Sequence, residues 1–335
     1  MKKSNYFQIT KLVLLGILGL LFFIWLSSFG TVNFSFSQII NFILSPQESS
    51  ESAIYIKLRL PRVLLAFLIG AALAIAGDSL QLTLKNPLAD PYIIGISAGG
   101  AFGAVLSLVM NDFLSINIGM EVTAFFFALV SAFLTYYISR RGGRVPVTNL
   151  ILSGVIVSFL FNAAVTFIVV FAWRNIISLH FWSLGSLSGA TWSGFWKMLP
   201  VLIIESIVYM LLRRKMLILA TGEQHALTLG IEPEKLKFSV FVMVAFVSGI
   251  SVAIAGLIGF VGLIIPHISR LLFGTDSRIN LFSTLIIGGL FLSVCDTIAR
   301  TLFQPTELPL GAITALIGAP MFIYLLRKRV AVSNE

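Results

Sequence analysis

The sequence predicts an all-α, polytopic membrane protein of ten transmembrane helices, and three observations carry that prediction. Of its 335 residues, 58% are hydrophobic and only 11% charged, against about 25% charged in an average soluble domain. The mean hydropathy of +0.99 means more apolar surface than a water-soluble core can enclose. Apolar runs of bilayer-crossing length recur along the whole chain, and a span takes about 20 residues because lipid offers the backbone no hydrogen-bond partners. Finally, the basic residues segregate by loop.

In chain order the runs fall at 12–29, 62–82, 91–110, 119–138, 148–172, 193–212, 238–256, 257–273, 281–299 and 308–326. The first follows Lys2 and Lys3 as a signal peptide would. Its apolar stretch is long for one and no clear small-x-small cleavage site follows, so a retained helix is expected. The fifth run carries Asn162 and Thr166, the sixth carries Glu205 near its centre, and only Gly256 and Gly259 divide the seventh from the eighth. Placing both termini in the cytoplasm leaves 17 of the 23 Lys and Arg residues inside, as the positive-inside rule asks. Outside remain Lys57, Arg59, Arg62, Arg174, Lys197 and Arg300. The net charge of +9 is therefore mostly a topology signal. Nucleic-acid binding is a poor reading of it, since no soluble domain exists to carry a basic patch.

Enzyme chemistry is not visible. Cys295 is the single cysteine, so there is no disulfide framework or cysteine-based metal cluster. His180, His225 and His267 lack metal-ligand spacing. The Gly-Lys-Ser/Thr ending of a P-loop is absent. No catalytic residue, metal site or cofactor is expected on this chain.

A repeat lies within it. Residues 66–77 match residues 245–256 at seven of twelve positions with an offset of 179, and the same offset carries Pro87 onto Pro266 and Gly95 onto Gly274. Shared Ala, Ile and Gly bias is the competing explanation. If the repeat is real, helices 2–5 correspond to helices 7–10. Five spans separate the copies, so they cross the membrane in opposite directions, an inverted repeat of the kind that lets two halves rock around a central path.

Several short motifs interrupt the apolar background. Gly95, Gly99 and Gly103 give one helix a smooth face for close helix packing. Asn86-Pro87-Leu88-Ala89-Asp90-Pro91 breaks the chain at the cytoplasmic edge, because prolines remove backbone donors. It reads either as a gate or as an ordinary tight loop. Arg59 and Arg62 lie three apart at a helix start, and Arg300 ends the ninth helix on the same side. They are snorkelling anchors, with Asp296 paired to Arg300, or a surface for acidic groups on a partner. The longest cytoplasmic segment, 216–237, has the spacing of a capping box at Thr221 and Gln224, a helix stop at Gly230, and Pro233 and Glu234 suited to a new first turn. It is a structured loop or a socket for a cytoplasmic partner. Glu205 is expensive at mid-membrane: it is functional, or protonated or hydrogen-bonded between helices.

Together these strings resemble the permease subunits of binding-protein-dependent ABC importers for iron–siderophores, haem and cobalamin, the BtuC-like family. The likeness runs from about residue 55 to 327. Its landmarks are Arg59-Leu60-Pro61-Arg62, Gly77 with Gln81, Asn86 to Pro91 with Gly95, Gly222-Glu223, Leu229-Gly230, residues 259–267 with Arg270, Asp296, Arg300, Glu307-Leu308-Pro309 and Gly318-Ala319-Pro320.

The resemblance implies one permease domain in the bacterial cytoplasmic membrane, paired with a second permease subunit as a homodimer or close heterodimer. It implies two cytoplasmic ATPase subunits carrying ATP and Mg, and an extracytoplasmic substrate-binding protein. Arg59, Arg62 and Arg300 would receive acidic residues of the binding protein. Asn86, Pro87 and Leu88 would belong to the cytoplasmic gate. The segment Thr221, Gly222, Glu223, Gln224, Ala226, Leu229 and Gly230 would be the coupling helix that seats on the ATPase. Asn162 and Thr166 would line the pathway. The alternative function is a proton- or sodium-coupled secondary transporter with Glu205 as the coupling acid.

Overall fold

A computed structural model describes residues 2–44, 49–114, 118–171, 182–274 and 277–333; Arg174 and His180 lie outside them. Every regular element among the described residues is helical, apart from an isolated bridge between Arg141 and Arg144. Helices α1 (Lys2–Ser28), α2 (Phe36–Leu44) and α3 (Ser50–Ile54) come first, and α3 runs through a π-helical turn (Tyr55–Arg59) into α4 (Leu60–Leu84). A 3₁₀ turn (Pro91–Ile94) leads to α5 (Ile96–Leu114), α6 (Met120–Ser139) and α7 (Val147–Phe171). Then follow α8 (Trp192–Thr221), α9 (Glu223–Thr228), α10 (Pro233–Ala255), α11 (Val261–Phe273), α12 (Ser277–Thr301) and α13 (Leu310–Ser333). The ten predicted spans are α1, α4 to α8 and α10 to α13. Helices α2, α3 and α9 are additional, and α2 and α3 fill a stretch that the sequence pattern left unassigned.

One boundary falls where the sequence placed it and another moved, each for a physical reason. The apolar run 238–273 is two helices, because α10 stops at Gly256, which takes a left-handed φ of 69°. A side chain there would also strike the Trp182 carbonyl at 2.3 Å. Helix α8 continues nine residues beyond the run that ended at 212, since Arg213 to Ala220 are good helix formers whatever their polarity. This extension removes the expected capping box. Thr221 lies in the last turn of α8 and its hydroxyl donates to the Ile218 carbonyl at 2.8 Å, while Gly222 takes the N-cap position of α9.

The chain divides into two compact units. One comprises residues 1–74, 187–200 and 259–335; the other comprises residues 75–186 and 201–258. In the second, α5 lies against α6 through the predicted glycine face. Side chains at Gly99 and Gly103 would meet the carbonyl oxygens of Phe127 and Thr123 at 2.3 and 2.2 Å, so only glycine permits this approach. Gly95 sits just ahead of α5, and its carbonyl accepts from the Ser131 hydroxyl at 2.6 Å. Helix α10 crosses α6, with Gly249 against the Phe125 ring and Ala128.

In the first unit, α4 meets α12 at a mutual glycine contact. A Cβ on Gly70 would lie 2.3 Å from the Gly288 carbonyl oxygen, and one on Gly288 would lie 2.6 Å from that of Gly70. Gly70 and Gly249 are related by the offset of 179, and each packs on the third helix of the opposite repeat. The inverted repeat of α4 to α7 and α10 to α13 is thus visible in the packing. Its extension to the prolines fails: Pro87 lies in a loop, whereas Pro266 lies inside α11. Gly95 and Gly274 both have positive φ and both close a helical element.

Candidate functional site

Arg59, Arg62 and Arg300 come together in the first unit, as the sequence anticipated, but they are not a bare basic surface. Arg59 and Arg300 are only 5% and 6% exposed. The Arg59 guanidinium lies 4.7 Å above the centre of the Phe34 ring and donates to the Ser28 carbonyl at 3.3 Å. Arg300 donates to the Leu26 carbonyl at 3.1 Å and to the Thr297 hydroxyl at 3.3 Å.

Arg62 already holds two acids of its own chain. Its Nε and Nη2 donate to Asp296, and its Nη1 and Nη2 donate at 2.8 and 3.1 Å to Glu307. Asp296 is buried and also lies 3.7 Å from Arg300, so the expected Asp296–Arg300 pair forms as the weaker partner of a three-way cluster. The Glu307 side chain is 40% exposed and forms the rim. A planar guanidinium can grip two carboxylates at once, which an ammonium cannot. Glu307 was legible as a landmark, but its pairing spans 245 residues and leaves no trace in local spacing.

The segment after α4 is a built turn. Lys85 ends the helix in a left-handed conformation with φ 51°. The Asn86 side-chain oxygen accepts from the Leu88 amide at 2.9 Å, and the Ala89 amide donates to the Asn86 carbonyl at 3.0 Å. Asp90 Oδ1 caps the 3₁₀ turn by accepting from the Tyr92 amide at 2.8 Å. Asn86 and Pro87 are half-buried, and Leu88 is exposed at the tip. Burial, with Oδ2 unpartnered, pushes the Asp90 carboxyl up to about 6 despite that amide.

Helix α9 is the most sharply defined of the motifs. It ends in a Schellman arrangement: the Ile231 amide donates to the Ala226 carbonyl at 2.9 Å, and the Gly230 amide to the Leu227 carbonyl at 3.0 Å. Gly230 has φ 74°, as its predicted role as a stop demands. Ala226 is fully buried, whereas Leu227 and Leu229 are exposed. Pro233 opens α10 as expected. What the sequence reading missed is the fastening. Lys237 donates to Glu223 at 2.7 Å, to Glu234 at 2.8 Å and to the Val145 carbonyl at 3.4 Å. Glu234 in turn accepts from the Val145 amide at 2.8 Å. One buried ammonium thus ties α9, the first turn of α10 and the α6–α7 connection together. The Lys237 hydrogen bond holds the Glu223 carboxyl below the usual range. Only the Glu234–Lys237 spacing hinted at this.

These features acquire a context from proteins of known relationship. The profile of the FecCD transport family matches residues 12–328. The chain belongs to that family. It is 43% identical over 272 residues to the cobalamin import system permease protein BtuC of Halobacterium salinarum, covering 81% of this chain and 73% of that one. It is 34% identical to the hemin transport system permease protein HmuU of Yersinia pestis, covering 82% and 84% of the two chains. A solved structure described as an inward-facing conformation of a putative metal-chelate type ABC transporter superposes with a TM-score of 0.83 at 30% identity, covering 95% of this chain and 99% of that one.

Two further placements bear on a FecCD-family chain. Asn162 and Thr166 both lie exposed on α7, with the Thr166 hydroxyl donating to the Asn162 carbonyl at 2.9 Å. Around them Phe159, Phe167 and Val170 are also exposed, so this face of α7 is uncovered in the single chain. Glu205 in α8 is 1% exposed, and neither carboxylate oxygen has a hydrogen-bond partner among the described residues. One turn on, the Tyr209 hydroxyl donates to Asp78 of α4.

Proposed function

We propose that the chain is the membrane-spanning permease of an ABC importer that admits a bulky metal chelate of the iron–siderophore, haem or cobalamin kind, driven by ATP hydrolysed on separate subunits. The observation that carries this reading is α9. A short capped helix outside the apolar spans, pinned by Lys237 to two other elements, suits the delivery of force from a cytoplasmic partner. A plain connection would not need such fastening. The names of the relatives supply the cargo class.

In this reading two permease chains pair in the bacterial cytoplasmic membrane, both termini inside. The uncovered face of α7, with Asn162 and Thr166, lines the pathway between them. Asn86, Pro87 and Leu88 form the inner gate. Residues 221–230 seat on the ATPase, with Thr221, Gly222, Glu223, Gln224, Leu229 and Gly230 building the contact, whereas Ala226, assigned to it from the sequence, is fully buried and packs the helix from behind. A loaded binding protein docks over the arginine cluster, and its acids compete with Glu307 for the outer edge of Arg62. Weak holding in an apolar cavity is sufficient, since a separate protein supplies the affinity.

The test is reconstitution of the chain with its ATPase and binding protein in liposomes, with cobalamin, haem and a ferric hydroxamate offered in turn. Uptake of one chelate that requires both ATP and the binding protein is expected. Lys237→Ala should retain basal ATPase activity and lose most of the stimulation by loaded binding protein. Transport by the purified chain alone under an ion gradient, abolished by Glu205→Gln, would replace this reading with the secondary-transport one.

A further inference from the structure

A cavity of about 190 Å³ opens beside α9, lined by Leu212 and Lys215 of α8, by Gly230, Ile231 and Glu232, and by Lys235, Leu236 and Ser239 of α10. Its lining mixes two cationic side chains with apolar ones. Lys235 is partly neutralised by Glu232 at 2.8 Å. Lys215 is exposed and forms no ion pair with a described residue, so the lining carries two lysines against one glutamate. The local balance is therefore positive.

What distinguishes this cavity from an ordinary basic patch is what leads away from it. Ile204, Ile207 and Leu211 are exposed on α8 and continue, at helical spacing, into Lys215. On α10 the exposed residues Ser239 and Phe246 continue the line that begins at Lys235. Helix α8 runs toward the cavity and α10 runs away from it, so the apolar stripe of α8 and the exposed Phe246 of α10 extend from its same side. From Ile204 to Lys215 is eleven residues, or roughly 16 Å of helix at about 1.5 Å per residue. One leaflet of hydrocarbon is half of about 30 Å. A cationic cavity at the end of an exposed apolar stripe one leaflet long matches an anionic phospholipid in both charge and length.

We propose that this cavity takes the phosphate headgroup of an anionic phospholipid whose acyl chain lies along the exposed stripe of α8 and Phe246 of α10. The headgroup neutralises Lys215 and Lys235. Because Gly230 and Ile231 form both the cavity wall and the helix stop of α9, an occupied cavity stiffens the base of that helix. The site would then make the seating of α9 sensitive to membrane composition.

The experiment uses the purified full-length chain in detergent, exposed to equal amounts of phosphatidylglycerol and phosphatidylcholine, with retained lipid read by native mass spectrometry. It involves no ATPase, so its outcome is separate from that of the importer reading. Wild type should retain phosphatidylglycerol in clear preference. A juxtamembrane cation contributes on the order of 1 kcal/mol toward an anionic surface, so Lys215→Gln and Lys235→Gln should each lower that preference about fivefold. Glu232→Gln, which releases Lys235 from its counter-charge, should raise it. Lys215 is exposed and makes no ion pair with a described residue, so the Lys215→Gln chain keeps the test valid if the Lys235→Gln chain does not fold. An unchanged lipid preference in folded Lys215→Gln overturns the proposal. So does equal displacement of the lipid by millimolar inorganic phosphate, which would make the cavity a free-anion site.

Discussion

Arg62 shows how a single side chain can serve two ends. Its inner edge satisfies Asp296, a buried carboxylate, while its outer edge reaches Glu307 at the rim. Removing one partner of a buried pair costs about 3–5 kcal/mol, because the other charge is stranded. Arg62→Ala should therefore lower the thermal midpoint markedly, whereas Glu307→Gln should barely change it. If the outer edge is where a binding protein attaches, Glu307→Gln should also tighten that attachment, measurable by surface plasmon resonance on reconstituted protein. Reversing all three arginines to Glu would strand acids against Asp296, so a loss of activity in that variant would report misfolding before it reported docking.

Asp90 adds a pH dependence at the same scale. Its folded carboxyl titrates near 6, above the ordinary 3.8, so the folded chain binds this proton more tightly than the unfolded one. The stability it contributes is fully present below about pH 4 and is lost as pH rises through about 6. Asp90→Asn keeps an oxygen for the Tyr92 amide and removes the titration. Thermal unfolding in detergent should show wild type weakening between about pH 4 and 6 and the variant staying flat; parallel profiles would sink the assignment. The chemistry of Arg59, Arg62 and Asp90 was legible as residue type at the right place. Their partners were not, because Phe34, Glu307 and an unpartnered oxygen are products of tertiary placement.

At the scale of elements, local chemistry was readable where it is local. The glycine face of α5, the stop at Gly230 and the opening of α10 at Pro233 all depend on nearest neighbours, and all occur as expected. The capping box failed because its first member belongs to whichever helix reaches it first, and α8 reached Thr221. Helices α2 and α3 escaped because nine and five residues are too few to register against an apolar background. In the membrane, where hydrophobicity cannot drive helices together, contact between them depends on close approach. Gly99→Leu should therefore push α5 off α6 and cost folded yield, because the new side chain starts 2.3 Å from a carbonyl oxygen. Gly119→Ala, with nothing within 4 Å of the added carbon, is the matched control and should be silent in size-exclusion yield.

At the scale of the whole molecule, the two compact units do not coincide with the two repeats. Helices α5 to α7 of the first repeat share a unit with α10, which opens the second. Helices α11 to α13 share theirs with most of α4, which opens the first. The repeats thus exchange their leading helices. The sequence offset detected the correspondence between α4 and α10 but not the exchange, since periodicity records likeness and not who packs on whom. Cutting the chain between residues 171 and 182 should leave neither half able to fold by itself. Co-expression of the halves should restore a single, protease-resistant species, and a stable isolated half would contradict the exchange.

The glycine contact between Gly70 and Gly288 has a consequence for how damage would spread. Gly249 of α10, the repeat-mate of Gly70, rests on the Phe125 ring and Ala128 of α6, so each leading helix is received by the third helix of the other repeat. A side chain added at Gly70 would start 2.3 Å from the Gly288 carbonyl oxygen. A change at either contact is therefore felt in both repeats at once.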